Sequence, residues 1–424
     1  MLYELKQNIR AFTPLFVIHF YHWFLAFVSA LFLLFPSKRL IVIGVTGTKG
    51  KTSTTEFINA IFEAAGYTTA LSNTIRMKVG PDSKQNTRRM SMPGRFTLQM
   101  FIAKAADAGC QVLVMEMTSE GARQHRHRFI DIDALVFTNL SPEHIESHGS
   151  FEAYANAKMD IGRALVRSPK RPRIMVANAE DAFGAQFLSL PVDMPAPFSL
   201  AQVTPYHADS NGGTFTFNNK KILVHLPGDF SLRNAVAAAV VAHAFGIQAD
   251  VIARGIDQVT EIPGRAQEIK AGQDFSAVVD YAHTPDSLSA LYDAYAPKRL
   301  ICVLGNTGGG RDIWKRPKMG EVADTRCAEV ILTNEDPYDE DPASILQSMA
   351  SGMKRTPTVI LDRRAAIREA LHRANPGDAV LITGKGTDPS IRGAGGTSIP
   401  WSDAVVVAEE LRAVVDGKRF MTTP

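Results

Sequence analysis

The chain has 424 residues, enough for two or three domains around a large buried core. Hydrophobic residues supply 45% and charged residues 21%, an ordinary globular balance that excludes a disordered chain. A formal net charge of +3, with no long basic block, argues against a nucleic-acid partner. Cys110, Cys302 and Cys327 are scattered, so neither a disulfide framework nor a zinc cluster is expected, and a reducing cytoplasm fits.

The amino terminus is unusual. Residues 11–37 carry no Asp, Glu, Lys or Arg and are rich in Phe, Leu, Trp and Tyr, with Lys6 and Arg10 before them and Lys38 and Arg39 after. Such a run is long enough to cross a bilayer, and its aromatics suit an interface. Pro14, His19 and His22 favour a bent or in-plane anchor over a clean span, and no small-residue cleavage site marks a secretory signal. The competing reading is a hydrophobic helix packed on the rest of the protein or on a partner. The expectation is a cytoplasmic protein that contacts the inner face of a membrane through residues 11–37.

Next comes an apolar β-rich run, Leu40 to Val45, which breaks into the turn Thr46-Gly-Thr-Lys-Gly-Lys-Thr52 and opens a helical pattern from Ser53. Strand, glycine turn and helix make a phosphate cradle. Backbone N–H groups around Gly47, Thr48, Lys49 and Gly50 face the phosphates, helped by the helix dipole. Lys51 reaches the terminal phosphates and the Thr52 hydroxyl ligates Mg²⁺. Val45 stands where the generic pattern has glycine.

Strands and helices then alternate to about Pro263, predicting a mostly parallel sheet with helices on both faces. Strands are expected at 111–117, 134–138 and 173–177, and helices at 97–108, 151–166, 231–245 and from Ala249 onward. Short alternating runs between Phe198 and Leu226, with an Asn-Gly-Gly turn, predict a small antiparallel excursion. Ile262-Pro-Gly-Arg265 reads as a hinge. Beyond it, strands near 277–280, 300–304, 329–333, 358–361 and 379–382 predict a second, Rossmann-like α/β domain. The fold class is therefore α/β, divided as 1–38 (apolar segment), 39–263 (ATP-binding domain) and 264–424 (C-terminal domain).

Several strand ends carry polar groups that a buried sheet does not need. Glu116 closes Val112-Leu-Val-Met-Glu at the carboxyl edge, where ligands of such folds bind, and beside a phosphate loop its task is Mg²⁺. Asn139, His144 and His148 follow the strand at 134–138 in the same way, and a neutral histidine nitrogen is a metal ligand. Lys158 shares a helix with Tyr154.

These stretches together resemble the Mur ligases. The likeness is carried by Thr46-Gly-Thr-Lys-Gly-Lys-Thr52, Met115-Glu-Met-Thr-Ser119, Asn139-Leu-Ser-Pro-Glu-His144 and Ala153-Tyr-Ala-Asn-Ala-Lys158. It continues through Asn234, Pro263-Gly-Arg265, Asp280-Tyr-Ala-His-Thr-Pro285, the run from Gly308 to Gly320 and Gly384-Lys-Gly386, in the family's order. The nearest likeness is to the members that add the third residue of the peptidoglycan stem peptide. The resemblance implies that Lys51, Thr52 and Ser53 hold phosphates and Mg²⁺, and that Thr52, Glu116, His144 and a carbamylated Lys158 hold two Mg²⁺ ions. It implies that Asn234, Arg265, Asp280, Tyr281, His283 and Arg311 hold ATP. The implied chemistry activates a carboxylate as an acyl phosphate and captures it with the amine of an amino acid. Metals and lysines offset the charge between two anions, and water is kept from the anhydride.

The sequence departs from the family in places. Only 39 residues precede the first strand, where the family has a uridine-binding domain, so a lipid-linked or membrane-near acceptor is expected alongside a soluble one. Ser91-Met92-Pro93 replaces a Thr-Thr-Pro that touches the acceptor. Diaminopimelate-adding members carry Asp-Asn-Pro-Arg, whose arginine pairs with a distal carboxylate; here Glu335-Asp336-Pro-Tyr338 lacks it, and the acidic run reads either as a site for a distal amine or as a solvated acidic loop. Asp388, after Lys385, is placed to hold the incoming α-amine. The rival readings are a folylpolyglutamate-synthase-like ligase and a membrane-tethered nucleotide switch without ligase activity.

Overall fold

A computed structural model describes residues 14–87, 90–143 and 145–422. The chain divides into two compact units: one holds residues up to Ser141, then Ser150–Ser199 and Ala237–Gly255, and the other holds Pro142–Gly149, Leu200–Val236 and Ile256 onward.

The first unit is built on an eight-stranded sheet. Its strands are β1 (Ile41–Thr46), β2 (Thr69–Ser72), β3 (Arg76–Val79), β4 (Asp82–Gln85), β5 (Val112–Glu116), β6 (Ala134–Phe137), β7 (Ile174–Asn178) and β8 (Met194–Phe198). Their order is β4-β3-β2-β5-β1-β6-β7-β8; β2 with β3 and β3 with β4 pair antiparallel at one edge, and the remaining pairings are parallel. The central strands are buried along their length save for half-buried Ile41, which is why they read as largely apolar runs rather than alternating ones. The helices are α1 (Leu15–Phe32), α2 (Lys51–Ala64), α3 (Arg95–Asp107), α4 (Ser119–Arg123), α5 (Phe151–Arg167) and α6 (Gly184–Leu188). Leu98, Ile102 and Ala105 of α3 and Ile161 and Leu165 of α5 join one core cluster with Leu113, Leu135 and Met175 of the strands. Helix α7 (Gly228–Ala244) runs from the second unit into the first, and α8 (Ala249–Asp257) closes the first.

In the second unit β9 (His207–Asp209), β10 (Gly212–Phe217) and β11 (Lys220–Val224) form the expected antiparallel excursion. The main sheet uses β12 (Gln267–Glu268), β13 (Ser276–Asp280), β14 (Leu300–Leu304), β15 (Glu329–Leu332), β16 (Thr358–Val359) and β17 (Ala379–Thr383), in the order β12-β13-β17-β14-β15-β16. Its helices are α9 (Pro285–Tyr295), α10 (Lys315–Arg326), α11 (Pro342–Ala350), α12 (Arg363–His372) and α13 (Asp403–Thr422). Strand alternation divides the core: Val278, Cys302 and Leu381 pack with α9, α10 and α11, while Val279, Val303 and Ile382 pack with α12 and α13.

Residues 15–32 form α1, which starts after Pro14, and no helix among the described residues is long and apolar enough to cross a membrane, in keeping with the preference for something shallower than a span. One expectation is corrected: the cysteines are not all unpaired. Cys302 points to the face covered by α10, Cys327 caps the end of that helix, and the two form a disulfide with Cα atoms 6.1 Å apart. Their separation of 25 residues concealed this neighbourhood. Cys110 is the free, buried thiol.

Candidate active site

The loop between β1 and α2 has its backbone bent as a cradle requires. Gly47 has φ +144°, and a Cβ there would lie 2.0 Å from Thr138 Oγ1, so no larger residue fits. Gly50 caps α2 in the left-handed region, and Lys51 begins the helix, two residues before the expected start. The loop is braced from β6. Lys49 N–H donates to Asn139 Oδ1 (2.9 Å), Asn139 Nδ2 donates to Lys49 O (3.1 Å), and Thr48 N–H donates to Asn139 O (2.8 Å). Asn139 thus supports the loop rather than standing free at a strand end.

Lys51 Nζ folds onto the loop carbonyls of Gly47 (3.0 Å) and Thr48 (2.8 Å). The Thr52 hydroxyl donates to Glu116 Oε1 at 2.5 Å. Glu116 is fully buried and also accepts from Thr74 N–H (3.1 Å) and the Thr74 hydroxyl (2.9 Å). A carboxylate and a hydroxyl, hard oxygen donors side by side and held by neutral partners, are the set that Mg²⁺ takes. Ser53, next on the helix, is buried.

Lys158 arrives from α5, a helix whose N-terminus is capped by the Ser150 hydroxyl accepting from Ala153 N–H (3.0 Å). Its ammonium is buried, donates to Gly47 O (2.7 Å) and lies 4.7 Å from the centre of the Tyr154 ring. Tyr154 in turn meets the Thr48 hydroxyl at 3.0 Å. Lys158 therefore reaches a carbonyl 111 positions away in the chain, the same one that Lys51 contacts. His144 lies outside the described residues. His148 ends a short helical turn, Ile145–His148, in the other unit.

Ser91 and Met92 are tied to the same place. The Ser91 hydroxyl meets that of Thr74 at 2.7 Å, Met92 Sδ accepts from Thr118 N–H, and Arg126 donates to Met92 O. Pro93 follows them before α3. Thr74 and Arg126 escaped the sequence reading. For Thr74 a signal existed, since the polar run Asn73-Thr74 directly follows β2 just as Glu116 ends β5.

The second unit gathers the remaining predicted residues in two groups. Asp280 accepts from Ala266 N–H and Ala282 N–H, each at 2.6 Å, and so ties together the two loops that carry Arg265 and Tyr281. The Arg265 guanidinium lies 4.7 Å from the Tyr281 ring centre. His283 donates through Nδ1 to Tyr281 O (2.6 Å), and its Nε2 is 2.8 Å from Glu143 Oε1. Asn234 is buried on α7.

The other group sits at the ends of β15 and β17. Lys385 is fully buried and donates to Asp336 (2.8 Å) and Asp388 (3.4 Å). Glu335 is 3% exposed; one of its oxygens accepts from Thr307, the other has no hydrogen-bond partner, and burial holds its carboxyl above the usual carboxylate range. Arg311 stacks on Tyr338 at 5.0 Å, so a residue expected at ATP and one expected at the amino acid are neighbours.

A phosphate-cradling loop beside a hydroxyl–carboxylate pair, with a lysine brought in from a distant helix, defines a nucleotide-binding enzyme of the P-loop class. Comparison with known proteins narrows this. Residues 45–242 match the Mur ligase middle domain, and residues 264–386 match the Mur ligase, glutamate ligase domain. A UDP-N-acetylmuramyl-tripeptide synthetase of Roseiflexus sp. is 36% identical over 92% of this chain and 82% of its own length. A UDP-N-acetylmuramoyl-L-alanyl-D-glutamate--2,6-diaminopimelate ligase of Syntrophomonas wolfei is 34% identical over 90% and 80%. The solved structure of a ligase of the latter name overlaps with a TM-score of 0.60 at 28% identity, covering 88% of this chain and 78% of the other. A Mycobacterium tuberculosis folylpolyglutamate synthase complexed with ADP shares the fold, with a TM-score of 0.69 at 20% identity over 85% and 91%. The chain belongs to the Mur ligase family.

Proposed function

We propose that this chain is an ATP-dependent ligase that joins an amino acid to a muramoyl-peptide acceptor during peptidoglycan precursor synthesis. The observation that carries the reading is the meeting of Thr52, Glu116 and Lys158 around one glycine loop, in a chain more than 30% identical to synthetases of that name across most of their length.

When bound, ATP supplies the phosphoryl group that turns the acceptor carboxylate into an acyl phosphate, with Mg²⁺ offsetting the charge between them. The chain's own residues do the rest. Gly47 to Gly50 present backbone N–H groups, and Lys51 leaves its loop carbonyls for the terminal phosphates. Thr52 and Glu116 hold the first Mg²⁺, and Glu116, His144 and a carbamylated Lys158 hold a second. That carbamate would form from CO₂ and the deprotonated amine, an N–C bond replacing an N–H and the protons passing to solvent, and would change a buried cation into an anion, the sign a metal ligand needs. Thr74, Ser91, Met92 and Pro93 orient the acceptor. Asn234, Arg265, Asp280, Tyr281, His283 and Arg311 hold the nucleotide, within a domain division at residues 38/39 and 263/264.

The amino acid carries a distal amine, which the unpaired oxygen of Glu335 receives, with Asp336, Tyr338, Lys385 and Asp388 around it. The segment 11–37 rests on the inner face of the cell membrane and brings the enzyme near lipid-linked acceptors.

The test is phosphate release measured with UDP-linked and lipid-linked muramoyl dipeptides against a panel of amino acids, with the product weighed by mass spectrometry. Release that needs both an acceptor and an amino acid, with the mass of an amide product, supports the reading. Release that needs neither describes a nucleotide switch, and release with a pteroyl acceptor describes a folylpolyglutamate-type ligase; either removes it.

A further inference from the structure

Helix α1 is bound to its unit along one side. Ala26, Ser29 and Ala30 are buried, the rings of Trp23 and Phe27 meet Phe129 at 5.5 and 5.4 Å, and His22 contacts Arg95. The other side is bare. Phe16, Phe20, Phe24, Val28 and Phe32 recur every four residues with 74, 62, 47, 41 and 73% of their surface exposed. Spacing of four residues on a helix makes one continuous ridge that drifts about 40° per step, so it covers a broad exposed arc between Phe16 and Phe32. The ridge does not end with the helix. Phe32 meets Phe96 at 6.0 Å, and on α3 Phe96 and Met100 are again half exposed, followed four residues later by exposed Lys104. Lys38 and Arg39 stand exposed just past the other helix.

This apolar face far exceeds the scattered exposure normal for a globular surface. We propose that α1 and the outer stripe of α3 form one docking face for a bilayer surface containing anionic lipid, with α1 lying in its plane. This specifies the membrane contact proposed above and rests on that reading. At about 1.5 Å per residue, an 18-residue helix measures roughly 27 Å, short of the ~30 Å hydrocarbon layer and already fixed sideways to the protein. Phenylalanines sink to the acyl boundary, while Lys38 and Lys104 stand at the rim for lipid phosphates; Arg39, between them in the chain, is paired with Asp107 at 2.7 Å. A second copy of the chain is a poorer occupant, because α1 carries no acidic residue to meet those cations and Asp107, the acidic residue of α3, is already paired with Arg39.

The experiment is flotation of the full chain with vesicles of phosphatidylcholine alone or mixed with phosphatidylglycerol. The expected result is binding to the mixed vesicles that weakens about tenfold on neutral vesicles or in high salt. Binding should be lost in F20E/F24E and weakened in K38E/K104E, which leaves the packed side of α1 untouched should the first variant fail to fold. Phosphate release in solution should be the same in all, so loss of ligase activity everywhere would indict the enzymatic reading and not this one. Flotation unaffected by either variant overturns the proposal. So does a wild-type dimer that F20E/F24E dissociates, or resistance to alkaline extraction, which marks a spanning segment.

Discussion

Single residues decide the chemistry. Gly47→Ala forces a Cβ into Thr138 at a positive φ, and nucleotide affinity should fall at least about a hundredfold in a fluorescent-nucleotide titration while the sheet still folds. Lys51→Ala and Lys158→Ala should each lower kcat by roughly 10²–10³ or more, since each removes a charge aimed at the loop. His127 gives a pH prediction. It is 1% exposed, neither ring nitrogen has a hydrogen-bond partner, and burial lowers its pKa from 6.5 to about 3. A depressed histidine contributes stability above its unfolded pKa and loses it as pH falls below 6.5, so about 1 kcal/mol should vanish between pH 7 and 5.5. Denaturant titrations at both pH values should show that loss, and His127→Leu should flatten it.

Residues of this kind were unequally legible in the sequence. Lys51, Thr52 and Glu116 could be read because loop chemistry and strand-end position are local properties. The Lys158 contact with Gly47 could not, since a lysine on an amphipathic helix looks solvated until the helix is placed, and only family likeness singled it out. Asn139 was noticed as a polar group at a strand end and proves to brace the loop, because spacing tells that such a group sits there but not what it touches.

Elements were legible where their period was clean. The buried strands and the helix at 151–167 follow hydrophobic runs and caps written in neighbouring residues, and the helix at 285–295, to which the sequence reading gave no bounds, carries a cap of the same kind. The capping box Thr284/Ser287 makes the second of these testable: Thr284→Ala should cost about 1 kcal/mol in equilibrium unfolding. Contacts between elements were not legible. Arg363 on α12 and Asp403 on α13 form a doubly hydrogen-bonded pair at 1% and 0% side-chain exposure. Asp403→Asn leaves a buried guanidinium without its counter-charge, for an expected loss of about 3–5 kcal/mol. The disulfide joining β14 to the end of α10 is the same kind of information. Under denaturing conditions a thiol assay should count one free thiol before reduction and three after it.

At the scale of the whole chain, the order β2-β5-β1-β6 gathers the carboxyl ends of four neighbouring strands, and each contributes to the cluster: Thr74, Glu116, the glycine loop and Asn139. Ligand linkage should therefore be strong. Mg²⁺ with a non-hydrolysable ATP analogue at about a hundred times its Kd should add roughly 2.7 kcal/mol to stability, and EDTA should remove most of that gain in a thermal-shift measurement.

The hairpin of β3 and β4 runs away from this edge. Thr74, at its start, touches Glu116, whereas its tip at Gly80–Pro81 is carried back toward the sheet's amino-terminal margin, and all of β4 is exposed. That tip is an attachment point for engineering: a reporter peptide or fluorescent domain inserted between Gly80 and Pro81 should leave turnover intact and permit single-molecule tracking of the working enzyme.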